Sequence, residues 1–316
     1  MWLPIAILGY VINAGVYTAD KYFLSKKVHS SVTYAFYVGI WSIGNVVLFA
    51  FEWYVPAWSW LFIEFLAGWL FLWATIAWYK ALHQSEATKV VPIVGAFIPI
   101  FSLLLAYFFL GETLTKDGFA AILVLIAGGV LISAKTRAEN VFQRSIKYLR
   151  LLFGSKHAEY NPTRRLIINS LVAAFAFAAY YVLIKFIYLN EPFIGSYIWT
   201  RIGGFIGALL LLAIPSNRQK IFSRKKEKET LKSLPLFLSI RFLAVVAFIL
   251  INYAISLGNV AIINSLQGIQ YVFLLIIVLV LSEKYPRVIK EEMKGAVLFQ
   301  KFMGALMIGI GLFLLI

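Results

Sequence analysis

Residues 259–282, "NVAIINSLQGIQYVFLLIIVLVLS", read as a membrane-crossing helix that carries Asn264, Gln267 and Gln270 three residues apart among aliphatic and aromatic neighbours. An α-helix needs about 20 mostly apolar residues to cross the hydrocarbon core. Inside that core every backbone N–H and C=O must find its partner within the protein. The spacing is expected to set the three amides along one side of the helix, and lipid would leave that side unsatisfied. It therefore has to meet protein or water.

The rest of the chain repeats this pattern. Of its 316 residues 62% are hydrophobic and only 14% charged, against about 45–50% and about 25% in a soluble domain. Ten apolar stretches are long enough to span, at 2–23, 32–51, 58–80, 89–110, 116–134, 165–188, 194–214, 234–256, 259–281 and 298–316. Pro56, Gly111, Pro162, Pro192, Pro215, Gly258 and Pro286 fall between them, as helix breakers should. The reading is an all-α polytopic membrane protein with ten transmembrane helices. There is no cysteine, and the three histidines are scattered, so neither a disulfide framework nor a zinc site is drawn and no cofactor is expected. The start, "MWLPIAILGYVINAG", has no positively charged leader and is kept as a mature first helix.

The net charge of +15 is distributed like a topology signal, so the lipid bilayer and not nucleic acid is the expected partner. Of 29 lysines and arginines, 24 lie in the connections after the first, third, fifth, seventh and ninth stretches, and only Lys116 lies in the others. The positive-inside rule then sets the odd loops in the cytoplasm, both termini outside and the chain in the cytoplasmic membrane. The longest connection includes "ENVFQRSIKYLRLLFG", whose Val141, Phe142, Ile146, Leu149, Leu152 and Phe153 make an apolar stripe apart from Arg144, Lys147 and Arg150. Such a segment can lie flat on an anionic leaflet or be a solvated linker.

The two ends of the chain echo each other. Tyr17 and Lys21 in the first stretch match Tyr181 and Lys185 in the sixth, "FLGE" matches "VLSE", and "GGVLIS" matches "GLFLLI", in the same order. Five helices per half force the second half to insert upside down relative to the first, the frame in which one half can rock against the other around a midplane site. The stretch "ALHQSEATKVVPIVGAFIPIFSLLLAYFFLGETLTKDGFAAILVLIAGGVLIS", residues 81–133, strongly resembles the EamA module of the drug/metabolite transporter superfamily, above all in "LGETLT". The second half looks like a divergent copy, with "LSEKYP" at that place. The resemblance implies two inverted five-helix repeats, at 1–134 and 165–316, joined by a basic linker at 135–164.

Polar residues inside the stretches mark candidate sites, because ionisable and amide groups in lipid need partners or water. Asn13 and Tyr17, Trp69 and Trp73, Tyr180, Asn252, and Asn264, Gln267, Gln270 and Tyr271 are expected to bind substrate. Either they surround a wet cavity, or they are glue between packed helices. Two prolines, Pro92 and Pro99, are expected to permit a kink in the fourth helix. Depth and charge sign suggest a gate that pairs Asp20 with Arg241 at the inner mouth and another that pairs Glu64 with Arg201 at the outer, closing in alternation; static ion pairs or arginines snorkelling to head groups are the other reading.

These readings point to a secondary transporter for a small polar metabolite, an amino acid or similar, working by alternating access. No phosphate-binding loop, zinc-protease or nucleophile-elbow motif is present and the carboxylates are dispersed, so an enzyme is not expected. The alternatives are a flippase for lipids or lipid-linked head groups, or a non-transporting membrane scaffold. Gly203 with Gly207, and Gly304 with Gly311, thin one helix side each, which suits packing within a monomer as well as a dimer.

Overall fold

Each apolar stretch becomes helix, and the breakers become its ends. The computed structural model describes residues 1–26, 30–84, 87–133, 162–222, 234–284 and 296–315. In order these form α1 (Trp2–Lys26), α2 (Ser31–Trp41), a 3₁₀ helix (Ser42–Ala50), α3 (Trp58–Gln84), α4 (Ala87–Leu110) and α5 (Lys116–Ser133). The second half contains α6 (Pro162–Asn190), α7 (Phe193–Leu210), α8 (Pro215–Ile221), α9 (Leu234–Leu257), α10 (Val260–Ser265), α11 (Gln267–Lys284) and α12 (Ala296–Phe313). Among the described residues eight helical stretches are long and apolar enough to cross a bilayer, and the chain is a multi-pass membrane protein. Lys116–Ser133 is not among the eight, and α12 offers a shorter apolar stretch, Phe299–Phe313. The amphipathic segment expected between Val141 and Phe153 lies outside the described residues. α6 begins at Pro162, inside the segment read as linker, because proline suits the first turn of a helix.

Two expected single helices differ in detail, and each time a hydroxyl or amide takes part in the local backbone pattern. The second stretch turns from α to 3₁₀ at Ser42 and stays so for nine residues, an unusually long run. There the Ser42 hydroxyl donates to Gly39 O (2.6 Å) and to Arg201 O (2.8 Å), while Asn45 Nδ2 donates to Ser42 O (2.8 Å). Such side chains offer the backbone alternatives to its i→i−4 ladder. The ninth stretch is interrupted at Leu266, next to Ser265, whose hydroxyl donates to Ile262 O (2.6 Å). By contrast α4 is unbroken through both Pro92 and Pro99, so the interruption falls in the amide-bearing helix and not in the proline-bearing one.

The broadest interfaces join the halves to each other: α3 with α6 and α7, α5 with α12, α4 with α6, and α1 with α9. The halves thus interlock and share one interior. Close approach is made by small residues. A Cβ on Gly68 of α3 would meet the backbone at Thr200, Gly203 and Gly204 of α7, and one on Gly203 would meet the backbone of Phe65. Gly207 faces Trp69 and Leu72 in the same seam, while Gly304 faces Gly128 and Ile132 of α5 and Gly311 faces Leu125. These glycines serve packing within the chain.

The end opposite the basic loops is stapled by helix caps. Gly111, at φ +65°, ends α4 in the left-handed conformation that glycine adopts without penalty, and Glu112 N–H returns to Ala106 O (3.2 Å). That turn aims the Glu112 carboxylate at Val260 N–H (3.2 Å), while the Asn259 side chain accepts from Ala261 and Ile262 N–H (3.0 and 3.2 Å). Burial pushes the Glu112 carboxyl above its ordinary pKa, and Val260 N–H and the Lys185 charge pull it partly back. Lys185 donates to Ser256 O (3.0 Å) and Gly258 O (3.1 Å), closing the far end of α9. Pro192 gives α7 no side-chain cap, and Glu52 supplies one from across the bundle by accepting from Ile194 and Gly195 N–H (3.1 and 3.2 Å). Tyr54 donates to Glu191 beside it.

Candidate functional site

Midway along the bundle lies a cavity of about 200 Å³, lined from α1, α2 with its 3₁₀ extension, α3, α4, α6, α7, α9 and α11. That volume is below the ~300–1,000 Å³ of pockets for drug-sized ligands, so it suits a small metabolite. Both halves contribute: α1, α2, α3 and α4 from the first and α6, α7, α9 and α11 from the second.

Of the expected residues, Asn13, Tyr17, Gln267, Gln270, Arg201 and Arg241 are brought together on its wall. Asn13 Nδ2 donates to Gln270 Oε1 (3.0 Å), tying α1 to α11. The Tyr17 ring lies 5.9 Å from that of Trp78, and its buried hydroxyl has no hydrogen-bond partner. Tyr180 and Asn252 stand just behind the wall. Tyr180 OH receives a hydrogen bond from Arg201 and donates to Asn252 Oδ1 (3.3 Å), which also accepts from Tyr188 OH (3.0 Å).

The structure places the other expected residues away from this wall. Asn264 does not reach the cavity: its amide donates to Ser102 Oγ of α4 (2.7 Å), which makes it glue between α10 and α4. Tyr271 wedges against Gly95 and Gly129 instead, again in a helix seam. Trp73 is 71% exposed on the outer surface of the bundle, and Trp69 fills the seam against Gly207. Nine residues at about 100° each turn Trp73 to the face opposite Glu64, so the two could not share a wall.

The outer charge pair does not form. Glu64 is fully buried, with neither carboxylate oxygen hydrogen-bonded, and the polar side chain beside it is Ser196. Arg201 instead sits among rings, with its Cζ 4.6 Å from the centroid of Phe71, 5.1 Å from Tyr197, 5.3 Å from Phe248 and 5.6 Å from Tyr180. Cation–π attraction supports the guanidinium there where the expected carboxylate is absent. At the basic-loop end Arg241 donates to Tyr34 OH (3.4 Å), and the Tyr34 ring meets Tyr79 edge-on at 4.8 Å. These contacts join α9, α2 and α3. The side chain of Asp20, its expected partner, is outside the described set.

The expectations missed Ser42 and Asn45, which line the cavity from the 3₁₀ stretch. Asn45 is buried with Oδ1 unpartnered. Their three-residue spacing in "WSIGNVV" was the available signal. Tyr197, Phe71 and Phe248 also line the wall, and aromatic residues are too common in this chain for sequence to single them out.

Residues 1–134 match the model of the EamA-like transporter family. No curated protein matches the chain. Among solved structures, one described as a crystal structure of a protein is 13% identical, with a TM-score of 0.63 over 98% of this chain and 97% of its own. That likeness shows a shared fold over nearly the full length of both.

Proposed function

We propose that this chain, whose residues 1–134 are of the EamA-like transporter family in the drug/metabolite transporter superfamily, is a secondary transporter of a small polar metabolite. It works by alternating access between two inverted five-helix halves. In this reading α5 and α12 complete ten crossings, the basic loops face the cytoplasm and both termini lie outside. The single observation that carries it is the midplane cavity walled by amides, hydroxyls and arginines from both interlocked halves. Supporting the repeat, α3 with α6 is echoed by α9 with α1, and α5 meets its counterpart α12.

The test is reconstitution of the full chain in liposomes and uptake of metabolites first found by thermal shift. Gln267→Ala and Gln270→Ala should weaken both the shift and the uptake of the same compound. Uptake unchanged in both variants would put the pathway elsewhere. One observation favours the second reading, a flippase: α3 packs broadly on α7, but among the described residues α9 meets α2 through Arg241 and Tyr34 without a matching broad seam, and Trp41 stands 40% exposed while lining the cavity between them. Scrambling of a fluorescent lipid by the reconstituted chain, with no metabolite uptake, would select it.

A further inference from the structure

Arg201 is 6% exposed and lines the cavity, yet its hydrogen bonding within the chain is far from complete. A guanidinium presents five N–H donors and cannot shed its charge. Here one nitrogen donates to Tyr180 OH, and Nε has no partner. Of the four rings around it, Phe71 and Phe248 carry no acceptor, and the ring oxygen that takes a hydrogen bond from it is Tyr180 OH. The nearby helix that could have supplied a carboxylate, α3, directs Glu64 to Ser196 instead. A buried charge without a counter-charge is expensive to keep, and removing water makes it more so.

The composition of the wall points the same way. Among its described residues are two arginines, Arg201 and Arg241, and neutral amides and hydroxyls, but no aspartate or glutamate. A cationic ligand would meet like charge, and the π faces that could have received it are already turned to Arg201. A neutral ligand could accept from the Arg201 donors but would leave its charge uncompensated. An oxyanion answers both, since the planar fork fits a carboxylate or a phosphate.

We infer that the molecule bound in this cavity is a small organic anion whose carboxylate or phosphate docks on Arg201. The inference rests on the carrier reading above and names its substrate class. Asn13, Gln267 and Gln270 then serve the uncharged part of the ligand, with donors and acceptors of either sense.

The experiment is thermal unfolding of the purified full chain with succinate, glutamate, glycerol 3-phosphate and inorganic phosphate, against succinamide, glycerol and putrescine. At least one anion should raise the unfolding midpoint, while the neutral and cationic compounds leave it in place. Succinate against glycerol 3-phosphate separates a carboxylate site from a phosphate site. Arg201→Gln should weaken the response to that anion by roughly ten- to hundredfold in concentration, and Arg201→Lys should keep part of it. The lysine variant shows that the site still forms, because it keeps the charge in a related shape.

The inference is overturned if no anion stabilises the protein, if Arg201→Gln responds like the parent, or if the stabilising compound is succinamide, glycerol or putrescine. Uptake into liposomes separates the two readings. A neutral compound that binds and is carried removes the anion assignment and leaves the carrier. An anion that binds through Arg201 and is never carried removes the carrier and leaves the anion site.

Discussion

Tyr180 holds the best-defined polar junction in the bundle, taking a hydrogen bond from Arg201 and giving one to Asn252, which Tyr188 also reaches. Hydrogen bonds to charged groups contribute about 1.5–3 kcal/mol net, and the loss is largest where the abandoned partner stays buried. Tyr180→Phe should therefore lower stability by about that amount, read as a fall in the detergent unfolding midpoint. A midpoint equal to the parent's would show that the hydroxyl is dispensable. This junction was half legible in the sequence. Arg201, Tyr180 and Asn252 all stood out as polar residues in apolar surroundings, but their mutual contact depends on how α6, α7 and α9 cross. Glu64 and Arg201 are apart in this structure, which depth alone did not foretell, since depth along a helix says nothing about the direction in which a side chain leaves it.

Helices and their seams were more readable than side-chain partners, because apolar length and breaker residues are local properties. All ten apolar stretches are helical where described, with ends displaced by a few residues. What local pattern could not give was phase. Three residues advance an α-helix by about 300°, so a triplet spaced by three drifts some 60° per step, and Asn264 finds Ser102 while Gln270 finds Asn13. At the seam of α3 and α7 the glycines set the approach distance. Gly68→Ala would drive a methyl into the α7 backbone, and overpacking of this kind costs about 1–3 kcal/mol. Gly15→Ala, with nothing within 4 Å, is the matched control. It should be neutral or stabilising by up to about 1 kcal/mol, as alanine is the better helix former. Equal effects in the two variants would contradict the close seam.

For the molecule as a whole, the interlocking of halves makes the cavity a shared property, and water is its most direct probe. In a single-cysteine series, positions 267 and 270 should react with a water-soluble thiol reagent in membranes, and position 264 should react at least tenfold more slowly, being sealed against Ser102. Rapid labelling at 264 would restore the amide row as one wet wall and displace the present site. The match of residues 1–134 to the EamA-like model was legible from the "LGETLT" region because such a motif is read along the chain without any distant contact. The position of the cavity was not, because it depends on contacts between residues more than a hundred positions apart.

The nine-residue 3₁₀ run after α2 carries a mechanical implication. Each of its residues advances about 2.0 Å along the axis, against 1.5 Å in an α-helix. Rewinding Ser42–Ala50 into α form would telescope the segment by about 4–5 Å and swing its far end through roughly half a turn, carrying Asn45 off the cavity. Glu52, anchored on the first amides of α7, is the tether such a retraction would have to pull or release.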